Sequence, residues 1–162
     1  MMSKYNNSTR KKISVETALM RLEGLCARSE QCETEVRRKL ATWQIEAADA
    51  DAILHSLKSR RYVDDSRYAQ AFVRDKYRFS QWGRRKIAMA LRQKRIDGDL
   101  IDVAIDSINE DEYREILRRV LASKAKNMSR PLSYEDRVRL LRYAVSRGYE
   151  ASLASEVVKK NI

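Results

Sequence analysis

The chain has 162 residues, enough for one domain or a string of small packed repeats, and its 34 Lys and Arg outweigh 23 Asp and Glu to give a formal net charge of +11. Four Gly and a single Pro, Pro131, are too few for the turn-rich path of a β-protein, so the composition predicts an all-α fold with short loops. With no 18-residue apolar run and no apolar stretch behind the basic N-terminus, neither a membrane span nor a signal peptide is expected, and the default is a cytoplasmic protein.

Residues 1–13 are polar, basic and aperiodic, and are expected to form a disordered arm. A first helix is predicted from Ser14 to about Ala27, with Val15, Ala18, Leu19, Leu22, Leu25 and Cys26 on one face. After a loop near 29–32, a second helix carries Val36, Leu40 and Trp43. A third, from about Glu46, carries Ala50, Ile53, Leu54 and Leu57 and ends at Lys58, Arg60 and Arg61, where cations suit the negative helix end. The order then recurs. Val36, Leu40, Ile45, Leu54 and Leu57 return 51 positions later as Ile87, Leu91, Ile96, Ile105 and Ile108, and a period of that size signals stacked copies of one supersecondary unit.

In the second copy Asp64 precedes a helix with Tyr68, Ala69, Phe72 and Val73, the string SQWG at 80–83 breaks it, and Asp97 caps the last helix of the set. A third copy starts near Asp111 with Tyr113, Ile116, Leu117, Val120 and Leu121. It breaks between Asn127 and Leu132, and its next helix, with Val138, Leu141 and Val145 as its apolar residues, stops at Gly148, a natural left-handed C-terminal residue. A helix with Leu153, Val157 and Val158 ends the chain. The expectation is three tandem three-helix repeats, 14–62, 63–109 and 110–162, in an elongated or bent helical-repeat molecule.

Charge is partitioned along this repeat. Ten basic residues (Arg67, Arg74, Lys76, Arg78, Arg84, Arg85, Lys86, Arg92, Lys94, Arg95) stand between Val63 and Ile96 against Asp64, Asp65 and Asp75. An uninterrupted acidic set follows, from Asp97 to Glu112, read here mainly as capping and helix-dipole complementation. On a helix from about Arg84 to Arg95, Ile87, Ala90 and Leu91 share one face, while Arg85 and Arg92 lie together on another beside Lys86, Met89 and Gln93. With few carboxylates at i,i+4, that face is a candidate for phosphate or acidic-partner contact, together with Arg74, Lys76 and Arg78 on the preceding helix and Lys94 and Arg95 at its end. The plain alternative is a solvated helix face. Trp82, flanked by basic residues, either stacks on a partner or closes the end of the core. Trp43 and the tyrosines Tyr68, Tyr113 and Tyr143 are read as packing residues.

No catalytic constellation is legible. His55 is expected at the surface with no nucleophile beside it. Cys26 and Cys32 make no disulfide framework, and with a single His they fall short of a zinc site; no cofactor or metal is expected.

The strings YVDDSRYAQAF at 62–72 and GRRKIAMALRQKRI at 83–96, with ARSEQCETEVRRKL at 27–40, resemble the RecX family, and the likeness extends over roughly 14–162. Arg95 stands where that family often has Gly, which removes an easy left-handed cap, and Cys32 stands where a small hydroxyl residue is common at a helix start. The resemblance implies a non-enzymatic cytoplasmic regulator, expected as a monomer. It would bind the RecA recombinase and its filament on DNA and restrain strand exchange, ATPase and co-protease activity in recombination and repair, with weak, sequence-independent nucleic-acid contact. The competing reading is an autonomous DNA-binding protein of helix-turn-helix type, with the helix at 84–95 in the major groove.

Overall fold

The computed structural model describes residues 12–162, and residues 1–11, most of the expected basic arm, lie outside the described residues. Among the described residues the secondary structure is entirely helical: α1 Val15–Arg28, α2 Glu33–Thr42, α3 Ala47–Ser59, α4 Asp65–Arg78, α5 Arg84–Gln93, α6 Gly98–Asp106, α7 Glu110–Lys124, α8 Tyr134–Ser146 and α9 Ala151–Asn161. The chain divides into two compact units, one ending at Asp64 and one running from Asp65 to Ile162. In the first, α3 packs on α1 and α2. In the second, α4–α6 and α7–α9 are two such triplets, joined where α4 meets α7.

Helix starts follow local chemistry. Ser14 Oγ accepts the Thr17 N–H at 3.1 Å and Asp97 accepts that of Asp99 at 2.9 Å, as the sequence suggests. Asn109 and Ser133 cap α7 and α8 in the same way, accepting from Glu112 and Asp136, so α7 begins at Glu110, one residue before the expected Asp111. Cys32 precedes α2 with no side-chain cap, and its side chain is buried instead.

The repeat is clearest where the middle helix of each triplet ends. Gln44, Arg95 and Gly148 all have left-handed backbones, with φ of 58°, 57° and 94°. In each case the next residue returns its N–H to a carbonyl five positions back: Ile45 to Leu40 at 3.0 Å, Ile96 to Leu91 at 3.2 Å and Tyr149 to Ala144 at 3.0 Å. This is the six-to-one bond of a Schellman motif, and it turns the following apolar side chain into the core. The steps of 51 and 53 residues between these positions match the spacing read from the apolar pattern. Arg95 therefore adopts the left-handed cap without glycine, because Ile96 is 5% exposed and its burial holds the turn.

Ala18, Leu22, Val36, Leu40, Ile53, Leu54, Leu57 and Val63 form the core of the first unit. Ile87, Leu91, Ile96, Ile101, Ala104 and Ile108 are buried in the second triplet, and Tyr113, Leu117, Leu121, Leu140, Ala144 and Tyr149 in the third. Some expectations are corrected at the edges. Trp43 is only half-buried, at the margin of the first core beneath Arg21, and Leu19, Leu25 and Cys26 are likewise half-buried. Tyr143 is half-buried too, with the Lys124 ammonium 4.8 Å from its ring, while Tyr68 and Tyr113 are buried as expected. On α8 the buried residues are Leu140 and Ala144 rather than the expected Val138, Leu141 and Val145: the first two are half-buried and Val145 is exposed, because the helix is rotated to bring Leu140 and Ala144 inward.

Two glycines carry the junction inside the second unit. A Cβ on Gly83 would run into the Gly148 carbonyl carbon and the Tyr149 nitrogen, and one on Gly148 would meet Lys86. Gly148→Ala is therefore expected to cost at least about 2 kcal/mol, since it combines a left-handed φ with a backbone collision. Gln44→Gly, which relieves a left-handed non-glycine residue, should instead stabilise the fold by ~0.5–1 kcal/mol. Urea denaturation of both variants checks the pair of signs.

Candidate functional site

The basic residues of α4 and α5 fall into three physical groups. Arg74, Arg85, Arg92 and Arg95 are exposed and make no ion pair among the described residues. Ile87 and Leu91 point α5 into the core, and this rotation carries Arg85, Arg92 and the 59%-exposed Met89 outward. Phe79, at 82% exposure, stands just beyond the end of α4.

A second group is gathered over aromatic rings. Tyr68 and Phe72, one helical turn apart on α4, stack with centroids 5.9 Å apart, and Trp82 meets Phe72 edge-on at 6.5 Å. The Lys76 ammonium lies 4.6 Å from the Trp82 ring and Lys86 lies 4.5 Å from it, while Lys94 is 5.9 Å from Tyr68 and 6.0 Å from Phe72. Attraction of a cation to a ring face contributes about 0.5–1 kcal/mol at such half-exposed positions. Trp82 is half-buried, and its π system gathers Lys76 and Lys86.

The third group is structural. Arg78 forms a two-pronged bond with Glu112, at 2.8 and 3.1 Å, and Tyr77 Oη donates to the same carboxylate at 2.9 Å. The Arg78 and Tyr77 bonds hold Glu112 below the usual carboxylate range. Arg84, expected to face a partner, turns toward the third triplet. Its guanidinium lies 4.0 Å from the centre of the Tyr113 ring, pairs with Glu110 and reaches Glu150 at 3.3 Å. Its backbone N–H donates to Tyr113 Oη at 3.0 Å, and that hydroxyl donates to Glu150 at 2.8 Å. The acidic run after Ile96 is therefore only partly capping, since Glu110 and Glu112 neutralise arginines 26 and 34 residues earlier.

The same junction runs in reverse through Arg147. Its side chain donates to the Ser80 carbonyl at 2.5 Å and to that of Gln81 at 3.1 Å, and Tyr149 Oη donates to Gln81 at 3.0 Å. Gly83 and Arg85, at the start of α5, donate their N–H groups to the Arg147 and Gly148 carbonyls at 2.8 and 3.1 Å. The first turn of α5 is covered by this contact. Nothing in the local sequence marks Glu150 or Arg147 as partners of residues 66 positions away.

One basic region escapes the sequence reading altogether. Between residues 124 and 147 stand Lys124, Lys126, Arg130, Arg137, Arg139, Arg142 and Arg147 against Glu135 and Asp136 only. The first six are exposed. A windowed charge count would have found them.

The titrating groups of the junction give it a pH signature. The Arg84 bond holds Glu110 below its usual range, so the stability it contributes is present above the unfolded carboxylate pKa near 4.5 and is lost as pH falls through the lower folded value. Burial pushes Tyr149 up to about 12, and burial raises Tyr113 as well. The unfolded chain then ionises first, and stability falls as pH rises from about 10 toward 12. Tyr149→Phe should flatten the alkaline loss in a chemical-denaturation series from pH 7 to 11.5. At pH 7, Arg84→Ala should cost about 2 kcal/mol, because it removes the ion pairs to Glu110 and Glu150 and the contact with the Tyr113 ring at a half-buried junction, whereas Arg85→Ala and Arg92→Ala should stay within about 0.5 kcal/mol of the parent.

Comparison with known proteins places this geometry among relatives. Residues 64–105 match the family model described as the second three-helix domain of RecX. Regulatory protein RecX of Vibrio campbellii is 32% identical over 127 residues, covering 77% of this chain and 79% of that one. Regulatory protein RecX of Clostridium beijerinckii is 28% identical over 131 residues, 79% of this chain, and the chain spans only about 60% of that relative's length. The crystal structure of RecX from Lactobacillus salivarius superimposes with a TM-score of 0.80 over 90% of this chain and 95% of that one at 16% identity, a likeness of fold. The four exposed arginines, the lysine-ringed aromatics and the Arg84 junction all belong to, or are anchored in, the segment that the family model matches, and the chain belongs to the RecX family of regulatory proteins.

Proposed function

We propose that the protein regulates the RecA recombinase, mainly as an inhibitor, by binding RecA and its filament on DNA and so restraining strand exchange, ATPase and co-protease activity in recombination and repair. The observation that carries this reading is the coincidence of the RecX match with an exposed, internally unpaired arginine set on the matched segment. The planar guanidinium forks of Arg74, Arg85, Arg92 and Arg95 suit phosphate or carboxylate oxygens. Lys76 and Lys86 add charge from fixed positions over the Trp82 ring. No Asn or Gln pair is set out on α5 to read adenine, so DNA contact on this surface is sequence-independent and weakens steeply with salt. The protein acts in the cytoplasm as a monomer and without catalysis. No helix among the described residues is long and apolar enough to cross a membrane.

The helix-turn-helix alternative requires the N-terminal turn of α5 at base edges. That turn is bonded to the Arg147 and Gly148 carbonyls, which weighs against it.

Substoichiometric protein should suppress the DNA-dependent ATPase of RecA, and turnover that stays unchanged across a titration would remove the proposal. The combined variant Arg74→Glu, Arg85→Glu, Arg92→Glu should inhibit at least about tenfold less well, with a melting temperature within about 2 °C of the parent because none of the three holds an internal partner. Arg84 is left out of that variant, since its loss would be read as unfolding.

A further inference from the structure

The first unit carries a groove that the arginine surface on α4 and α5 does not use. Two adjoining hollows of about 600 and 580 Å³ run along one side of α1 and share Thr17, Arg21 and Trp43. Thr17, Arg21, Gly24 and Arg28 follow at intervals of four, three and four residues, one continuous stripe of a helix. Trp43, from the end of α2, forms the wall, with the Arg21 guanidinium 5.8 Å from its ring, and Met20 stands 68% exposed at the rim.

Gly24 is the informative residue. It sits in the interior of the 14-residue helix α1, where glycine is the poorest helix former apart from proline. Its backbone needs no left-handed conformation, and a Cβ built on it would meet nothing within 4 Å. No neighbour among the described residues therefore demands a bare Cα. A bare Cα on an exposed helix face lets another backbone come close from outside, as at small-residue helix crossings.

The charge of the groove says what comes. Among the described residues its lining contains Lys12, Arg21 and Arg28 and no carboxylate. Lys12 reaches Glu46 at 3.4 Å outside the groove, whereas Arg21 and Arg28 meet no carboxylate among the described residues. Seven residues apart on one stripe, the two arginines lie about 10.5 Å from each other along the axis, the rise between carboxylates on successive double turns of a second helix.

We infer that this groove docks an amphipathic helix of a protein partner, with an apolar side chain against Trp43 and Met20, a close backbone crossing over Gly24, and Asp or Glu seven residues apart facing Arg21 and Arg28. The site is independent of the RecA reading and is tested without RecA. The probe is a fluorescein-labelled 15-residue helical peptide with Leu on one face and two Glu seven apart, titrated by anisotropy against the full chain. Its counterpart carries Lys at those two positions. The acidic peptide should bind at least tenfold more tightly than the basic one. Gly24→Gln should weaken it at least tenfold while raising the melting temperature, because glutamine is a better helix former and nothing crowds it. Arg21→Glu should exchange the preference toward the Lys peptide, and Arg137→Glu, an exposed charge reversal on α8, should leave peptide binding unchanged. The inference fails if Gly24→Gln binds as well as the parent, if both peptides bind alike, or if neither binds. It also fails if single-stranded DNA or anionic phosphatidylserine vesicles displace the peptide from the parent chain but not from Arg21→Glu, which would make the groove a phosphate site.

Discussion

The second unit depends on one head-to-tail contact between helix ends. The first turn of any helix leaves N–H groups without partners and the last turn leaves carbonyls without them. Here Gly83 and Arg85 at the start of α5 donate to the Arg147 and Gly148 carbonyls at the end of α8, so each helix supplies what the other lacks. The positive end of one dipole meets the negative end of the other. Such an approach is possible only because neither Gly83 nor Gly148 has a side chain, and the polar groups around it are arranged to suit. Arg84 crosses into the carboxylates of the third triplet, and Arg147 crosses back to the carbonyls of residues 80 and 81.

That contact also decides which charges remain for a partner. A net charge of +11 suggests an undifferentiated cationic surface, yet the arginines are of two kinds. Arg78 and Arg84 are consumed in holding triplets together through Glu112, Glu110 and Glu150. Arg74, Arg85, Arg92 and Arg95 meet no such partner among the described residues, and desolvating them against phosphate or carboxylate breaks nothing inside the fold. Adjacent residues can thus have unrelated roles. Arg84 lies on the side of α5 that faces α7 and α9, and Arg85, 100° around the helix, lies on the outside.

The lysines occupy an intermediate position. Lys76 and Lys86 are tethered over Phe72 and Trp82 by a ring quadrupole, which attracts a cation but carries no net charge to cancel it. Their long side chains lose part of their freedom before any partner arrives, which lowers the ordering cost of binding. On the first unit the same pairing of cation and ring recurs at Arg21 and Trp43, beside a helix that keeps Gly24 bare. Each unit therefore presents a basic surface backed by tryptophan.

The periodicity of apolar residues determined the helices, their triplet order and most of their buried positions, because burial on one face of a helix leaves a local record at three- and four-residue spacing. The 51-residue recurrence of Val36, Leu40, Leu54 and Leu57 as Ile87, Leu91, Ile105 and Ile108 was enough to expose the repeat. Even the drift to 53 residues at Tyr149 was legible, and the matching left-handed turns at Gln44, Arg95 and Gly148 show the same spacing. The site was less legible. Exposure of Arg85 and Arg92 followed from helix geometry, but the withdrawal of Arg78 and Arg84 did not, since their partners lie 26 to 66 residues away with no periodic mark. Ion pairs between helices depend on the packing of whole triplets, which local spacing does not encode. The sequence by itself determined where this chain is helical and apolar; only the tertiary structure decided which of its many charges hold the molecule together and which are left to meet something else.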